Sequence, residues 1–200
     1  MSERRDAIEN TLSLHRACHE GVVWARKYAT FEDAWAAIEA PDWMLWACET
    51  FGYRGERKLR LFAAACAARC QALWDDPQAA RAVALAAKAG AGPVTADELR
   101  AELSATRRAA AALVDRPDYS EALAAAAAAI TGALHDRAIE AAKAASRESA
   151  RAIAWDPNQP NSWSEEAAWQ SAELRALIGG ESHDTIADIR KKNRGTLHVL

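Results

Sequence analysis

The stretch ERKLRLFAAACAARCQALW, residues 56–74, decides the fold class of this chain. Its large apolar residues and cysteines recur at steps of three and four, which places them on one face of an α-helix. Alanine fills most positions between them, and alanine is the best helix former because it loses no side-chain entropy on folding. The pattern therefore predicts a buried helix over residues 56–74. The apolar stripe consists of Leu59, Phe62, Cys66, Cys70 and Leu73.

Helical periodicity continues on both sides of this stretch, and prolines, glycines and capping residues divide it into further helices. Thr95 with Glu98 forms a capping box, and Asp76-Pro77 gives a cap followed by proline in the first turn. Only residues 196–200 alternate with the period of a β-strand. The predicted fold class is therefore all-α. The predicted helices cover residues 5–28, 30–39, 41–51, 56–74, 77–88, 95–114, 118–155, 162–177 and 183–193.

Alanine supplies about a quarter of the chain and sets the expected architecture. We predict a compact helical bundle of about seven to nine helices, with one long alanine-rich helix over residues 118–155. No internal repeat has the period of a solenoid, and an α-solenoid-like helical array is the alternative. The length suits a single helical domain, 1–200, subdivided into a tryptophan-rich part, 1–75, and an alanine-rich part, 76–200.

Charge and hydropathy indicate a compartment and argue against two classes of partner. The net charge is −3 and the pI about 6.0, whereas a nucleic-acid-binding domain is usually basic. The start of the chain lacks the apolar core of a secretory signal. No apolar run reaches the length of about 18 residues that a membrane span needs. The four cysteines lie within apolar helical patterns, as expected in a reducing compartment. We therefore expect a cytoplasmic protein without a membrane partner, and the charge disfavours nucleic acid as a partner.

Two groups of cysteine and histidine residues have spacings that metal ligands also use. His15, Cys18 and His19 stand at i, i+3 and i+4, so one helical patch could present all three, and zinc needs three or four such ligands. Cys66 and Cys70 stand four apart but belong to the apolar stripe, where free cysteine acts as a small hydrophobic residue. We interpret both groups as packing residues, with no metal site and no cofactor.

The chain carries no motif for catalysis. Nucleophilic catalysis needs an activated serine or cysteine beside a positioned base, and the sequence has no G-x-S-x-G elbow, no phosphate-binding glycine loop and no H-E-x-x-H. His135-Asp136 and His183-Asp184 are adjacent pairs, whose side chains diverge by about 100° on a helix. We therefore expect no catalytic residues and no enzymatic activity.

Tryptophan is unusually frequent, with eight residues, five of them before residue 75. Large rings fill the gaps that alanine-lined helices leave, and tryptophan is also enriched at binding hot spots. Core packing is the favoured interpretation for most of the rings, and the acidic residues around them suit a basic protein partner. The predicted aromatic core comprises Trp24, Trp35, Trp43, Trp46, Phe62 and Trp74. The predicted partner-binding residues are Glu32, Asp33, Glu39, Asp42 and Glu49.

Several short motifs carry a resemblance to a known family. The segment CHEGVVWA at 18–25 is followed by FEDAW at 31–35 and DWMLW at 42–46. The segment RKLRLFAAACA at 57–67 then precedes the alanine-rich region, and ADIRKK stands at 187–192. This order resembles helical immunity proteins of bacterial and phage-associated polymorphic toxin systems. The resemblance implies a non-enzymatic protein that neutralises a toxin-like protein by occlusion, and it carries over no site residue by position.

Two other functions stay open. The N-terminal tryptophans would line the pocket of a helical enzyme or small-ligand binder. The basic cluster Arg190, Lys191, Lys192 and Arg194 would serve a nucleic-acid-associated regulator. The protein-binding interpretation is preferred because it joins the tryptophan excess, the lack of catalytic motifs and the resemblance.

Overall fold

The computed structural model describes residues 2–156 and 163–179, with side chains from residue 8 onward. Every regular element in these ranges is helical, which confirms the all-α fold class and the bundle architecture. Two short 3₁₀ turns, at 71–73 and 112–115, extend α5 and α7. The ten α-helices of the described residues are α1 Ser2–Leu14, α2 His19–Ala25, α3 Phe31–Ala37, α4 Pro41–Thr50, α5 Glu56–Arg69, α6 Pro77–Ala91, α7 Ala96–Ala111, α8 Glu121–Gly132, α9 Ala138–Ala154 and α10 Trp163–Ile178.

The helix boundaries follow from capping side chains. Asp76 accepts a hydrogen bond from the backbone N–H of Gln78, and Pro77 takes the first position of α6. Thr95 and Glu98 form the reciprocal capping box that starts α7. These side chains satisfy backbone donors that the first turn of a helix leaves without partners.

The main core lies between α5, α6, α8 and α9. Helix α9 packs most extensively against α8 and α5, and α5 packs against α6. Phe62, Cys66 and Cys70 of the α5 stripe are fully buried, whereas Leu73 is half-buried. On α8 every buried residue is apolar and most are alanine. The small side chains let the helix axes come close together, because no bulky group separates the backbones.

A second, smaller apolar cluster joins α1 to α2, and α4 lies between it and the main core. Met44, Leu45 and Cys48 face the main core. Trp46 packs instead against the smaller cluster. The members of the smaller cluster are Ile8, Leu12, Val22 and Ala25.

The predicted long helix over 118–155 is wrong, because the chain reverses at residues 133–137 to form α8 and α9. Gly132 sits at the point of closest approach, where a Cβ atom would lie 2.7 Å from the Cβ of Ala144. The guanidinium of Arg60 donates to the carbonyl oxygens of His135 and Asp136 in the turn. A close glycine contact and an arginine from a distant helix therefore fold the alanine-rich segment back on itself.

The predicted first helix over 5–28 is also wrong, since it is divided into α1 and α2. Arg16 has φ 58°, in the left-handed region. The N–H of Ala17 donates to Leu12 O at 2.9 Å and the N–H of Arg16 to Ser13 O at 3.0 Å. These two bonds form the Schellman motif that ends many helices, here without the usual glycine.

The remaining differences concern one helix end and the residues outside the described ranges. The helix predicted to reach Trp74 ends at Arg69 and continues as a 3₁₀ turn. The predicted helix over 183–193 and the basic cluster at 190–194 lie outside the described residues, as do residues 157–162. Among the helices in the described ranges, none combines the length and apolar character that a membrane crossing requires.

Candidate functional site

Four acidic residues on α3, on α4 and between them are exposed, and we call them the acidic surface. Two of them stand in the first turn of α3, and one in the first turn of α4 after Pro41. Carboxylates are favoured at these places because the N-terminal end of a helix carries partial positive charge. The helix ends therefore explain why the sequence tolerates so many acids within 11 residues. The acidic surface consists of Glu32, Asp33, Glu39 and Asp42.

The acidic surface is not neutralised by the part of the chain that the structure describes. No ion pair there involves its four carboxylates. Glu49, the fifth predicted binding residue, differs from them. Its carboxylate pairs with Lys143 of α9 and lies 4.0 Å from Arg137. Glu49 thus ties α4 to α9, and its charge is already compensated.

Three half-buried rings beside the acidic surface form an aromatic cluster, defined as Trp24, Tyr28 and Trp43. The ring centroids of Trp24 and Tyr28 are 4.6 Å apart, and those of Trp24 and Trp43 are 5.8 Å apart in an edge-to-face arrangement. Trp43 directly follows Asp42, so a ring and an exposed carboxylate start α4 together. The sequence had not singled out Tyr28, although its spacing of four from Trp24 would have indicated contact on a helix.

The predicted aromatic core divides into three environments. Phe62 and Trp74 are fully buried in the main core. Trp24, Trp35 and Trp43 are half-buried and pack against the edge of that core. Trp46 is half-buried against the smaller cluster. There His15, Phe31 and Trp46 each pack edge-to-face against Phe51, with ring centroids 5.3–6.0 Å apart.

The thiols and imidazoles near the N-terminus do not form a shared site. The break between α1 and α2 removes the continuous helix on which His15, Cys18 and His19 were expected to meet. His15 packs edge-on against Phe51 at 5.3 Å, and Cys18 caps α2 by accepting a hydrogen bond from Gly21 N at 3.3 Å. Among residues 2–156 and 163–179, no group of three or more histidine, cysteine, aspartate or glutamate residues is arranged to hold a metal ion.

The buried thiols are protonated at neutral pH. Burial raises the pKa of Cys48 and of Cys70 to about 12. Burial, together with the nearby carboxylate of Glu166, raises the pKa of Cys66 well above its ordinary value. The thiolate is the form of cysteine that acts as a nucleophile or binds a metal ion, so these protonated thiols act as packing groups in the folded protein.

His135 and Asp136 do contact each other, contrary to the divergence expected on a helix. They lie in the turn between α8 and α9, with His135 Nδ1 2.8 Å from Asp136 Oδ1. The backbone N–H of Arg137 donates to both atoms, at 3.2 and 2.8 Å. His135 is half-exposed and Asp136 is exposed, and both accept from the N–H of the residue that precedes α9, so their geometry is that of a turn.

A buried polar network between α5, α9 and α10 escaped the sequence prediction. Glu166 and Gln170 are fully buried, and Glu166 Oε2 accepts a hydrogen bond from Arg69 Nε at 2.7 Å. Gln170 Nε2 donates to Ser149 Oγ at 3.1 Å, and the hydroxyl of Ser146 donates to Gln170 Oε1. Glu166, Gln170, Leu174 and Ile178 recur every four residues, and this spacing was the available signal.

Comparison of the chain with protein-family models, with curated proteins and with solved structures gives no match.

Proposed function

We propose that this chain is a non-enzymatic protein-binding module, an immunity-type protein of bacteria that neutralises a toxin-like protein by occluding it in the cytoplasm. The observation that carries the proposal is the acidic surface, whose carboxylates are exposed beside half-exposed aromatic rings. The order of the motifs, DWMLW at 42–46 among them, supplies the immunity role through resemblance.

The acidic surface and the aromatic cluster together suit a basic protein partner. Protein interfaces commonly have aromatic residues at the centre and polar groups at the rim. Trp24 and Trp43 would form such a centre, and the four carboxylates would form the rim. Carboxylates without protein partners attract a basic surface over a distance and so raise the association rate. The exposed parts of these half-buried rings also offer contact area for arginine side chains.

The test measures binding between this chain and the protein encoded by the neighbouring gene, by surface plasmon resonance at low and high salt. The variant Glu32→Lys/Glu39→Lys reverses two charges of the acidic surface. We expect its association rate to fall about tenfold or more at low salt, because steering acts mainly on the on-rate. Co-expression in a growth assay should lose protection in parallel.

The matched control is Asp75→Lys/Glu121→Lys, which changes the net charge equally. Each pair combines one exposed residue between helices with one exposed residue in the first turn of a helix. We expect the control to bind at the wild-type rate. If both variants slowed association equally, the effect would come from net charge, and this result would contradict binding at the acidic surface. Absence of binding by the wild-type chain would contradict the immunity role.

A further inference from the structure

Helix α10 is attached to the bundle differently from the helices of the main core. Of its five buried residues, three are polar, namely Glu166, Gln170 and Ser171, and two are apolar, Leu174 and Ile178. All seven buried residues of α8 are apolar, by contrast. The buried face of α10 thus makes side-chain hydrogen bonds to the bundle, whereas the buried side chains of α8 are all apolar.

The hydrogen bonds beneath α10 form one connected network. Gln170 Nε2 lies 3.0 Å from Ser146 O and 3.0 Å from Glu166 Oε1, in addition to its contact with Ser149. Arg69 pairs with Glu166, and its guanidinium lies 4.1 Å from the ring centroid of Trp169. The side chain of Arg69 is 38% exposed, so the network reaches solvent at this edge.

One further contact and one unsatisfied polar group also belong to this interface. Arg175 donates to the carbonyl oxygen of Ile38, which ties the C-terminal end of α10 to the segment after α3. The hydroxyl of Ser171 is buried without a hydrogen-bond partner among the described residues. An unsatisfied buried hydroxyl destabilises the packed position of α10, because the hydroxyl forms hydrogen bonds with water when the interface opens.

We propose that α10 is a detachable element, which leaves the bundle as a unit while α5, α8 and α9 stay folded. Polar groups beneath α10 recover hydrogen bonds with water on opening, whereas an apolar seam recovers nothing comparable. Cooperative units with few buried apolar contacts open well before the whole protein unfolds. The Arg69–Glu166 pair is the latch, because it is the charged contact that closes this interface at its solvent edge.

Opening of α10 uncovers a groove formed by α5 and α9. Ser149 of α9 accepts a hydrogen bond from Gln170 of α10, and the thiol of Cys66 on α5 is fully buried. The detached helix has 16 residues, close to the length at which an isolated helix is marginal in water. It therefore loses its backbone protection when it leaves the bundle, and hydrogen exchange reports the opening.

The experiment is hydrogen–deuterium exchange of the wild-type chain, read by mass spectrometry on peptides from α8, α9 and α10. We expect the amides of α10 to exchange at least about tenfold faster than those of α8 and α9. Urea well below the unfolding midpoint should leave this ratio unchanged or raise it. Equal exchange rates in all three helices would mean that α10 opens only by global unfolding, and would overturn the proposal.

Two variants in the first turn of α10 test the latch. Glu166→Gln removes the charge that holds Arg69, and we expect exchange in α10 alone to accelerate about ten- to a hundredfold. Glu165→Gln, at the exposed neighbouring position, should leave exchange unchanged. The double variant Arg69→Met/Glu166→Leu replaces the pair by apolar groups and should slow exchange in α10. Acceleration of every helix alike by Glu166→Gln would contradict a local latch.

Discussion

The aromatic residues show at the scale of single side chains how differently similar rings are used. Phe62 is fully buried between α5 and the other helices of the main core, with no polar atom to satisfy. Trp46, on α4, packs against the smaller cluster, whereas other residues of the same helix face the main core. The sequence predicted both as structural residues of one aromatic core. The structure assigns them to two clusters of different size.

We expect Phe62→Ala to lower the free energy of unfolding by about 3–5 kcal/mol, the usual range for a buried large aromatic residue. Trp46→Ala should cost less than half as much, because a half-buried ring removes less apolar surface from water. Urea denaturation followed by far-UV circular dichroism measures both values. As a control, Trp155→Ala alters a ring that is 42% exposed and should stay within about 0.5 kcal/mol of wild type. Equal costs for Phe62 and Trp46 would contradict the two-cluster arrangement.

At the scale of elements, the turn between α8 and α9 depends on a side chain from α5. Arg60 reaches the carbonyl oxygens of His135 and Asp136, about 75 residues further along the chain. A charged donor satisfying backbone carbonyls is worth about 1.5–3 kcal/mol. We therefore expect Arg60→Met to lower the free energy of unfolding by about that amount, as measured by urea denaturation.

Arg57 provides the matched control for this prediction. It lies on the same helix, three residues earlier, and is exposed. Arg57→Met removes the same charge and should change the free energy of unfolding by no more than about 0.5 kcal/mol. An equal effect of the two substitutions would show that charge, and not the contact with the turn, causes the loss.

At the scale of the whole molecule, the buried thiols predict sensitivity to alkali. The pKa of a cysteine in an unfolded chain is about 8.5. In the folded protein, burial raises the pKa of Cys48 and of Cys70 to about 12, and that of Cys66 well above its ordinary value. The unfolded chain therefore releases protons that the folded chain keeps. The free energy of unfolding should fall as the pH rises from about 9 towards 12, by about 1.4 kcal/mol per pH unit for each thiol.

Urea denaturation at several pH values, in the presence of a reductant, measures this slope. The variant with Cys48, Cys66 and Cys70 replaced by alanine should show a flatter dependence above pH 9, whatever its stability at neutral pH. Cys18→Ser, at an exposed position, should keep the wild-type slope. If the triple variant kept the wild-type slope as well, groups other than the buried thiols would be responsible.

The sequence predicted those parts of the fold that depend on local signals. Caps such as Thr95 and Asp76 fixed the starts of helices, and the apolar spacing of Leu59, Phe62 and Cys66 identified the buried face of α5. The carboxylates of the acidic surface were predicted from their density around the tryptophans, and the three in the first turns of α3 and α4 also follow the helix dipole.

The features that the sequence did not predict depend on contacts between distant elements. The reversal after Gly132 needs Arg60 and Ala144, and neither residue is visible from the periodicity of the alanine-rich segment. Glu166 and Gln170 are polar residues of the kind usually found on a solvated face, and their burial depends on Arg69 of α5 and on the serines of α9. Arg16 breaks the first helix in a conformation that glycine normally adopts, so no residue type signalled the break.

The close contact between α8 and α9 also has a consequence for the order of folding. These two helices are neighbours along the chain, so their hairpin forms at a low cost in loop entropy. The pairing of α5 with α9 joins residues far apart in sequence and raises the contact order, which slows the search for the native topology. We therefore expect the alanine hairpin to act as an early nucleus on which α5 docks, and α10 to join last. Substitutions in the hairpin would then change the folding rate, and substitutions beneath α10 the unfolding rate.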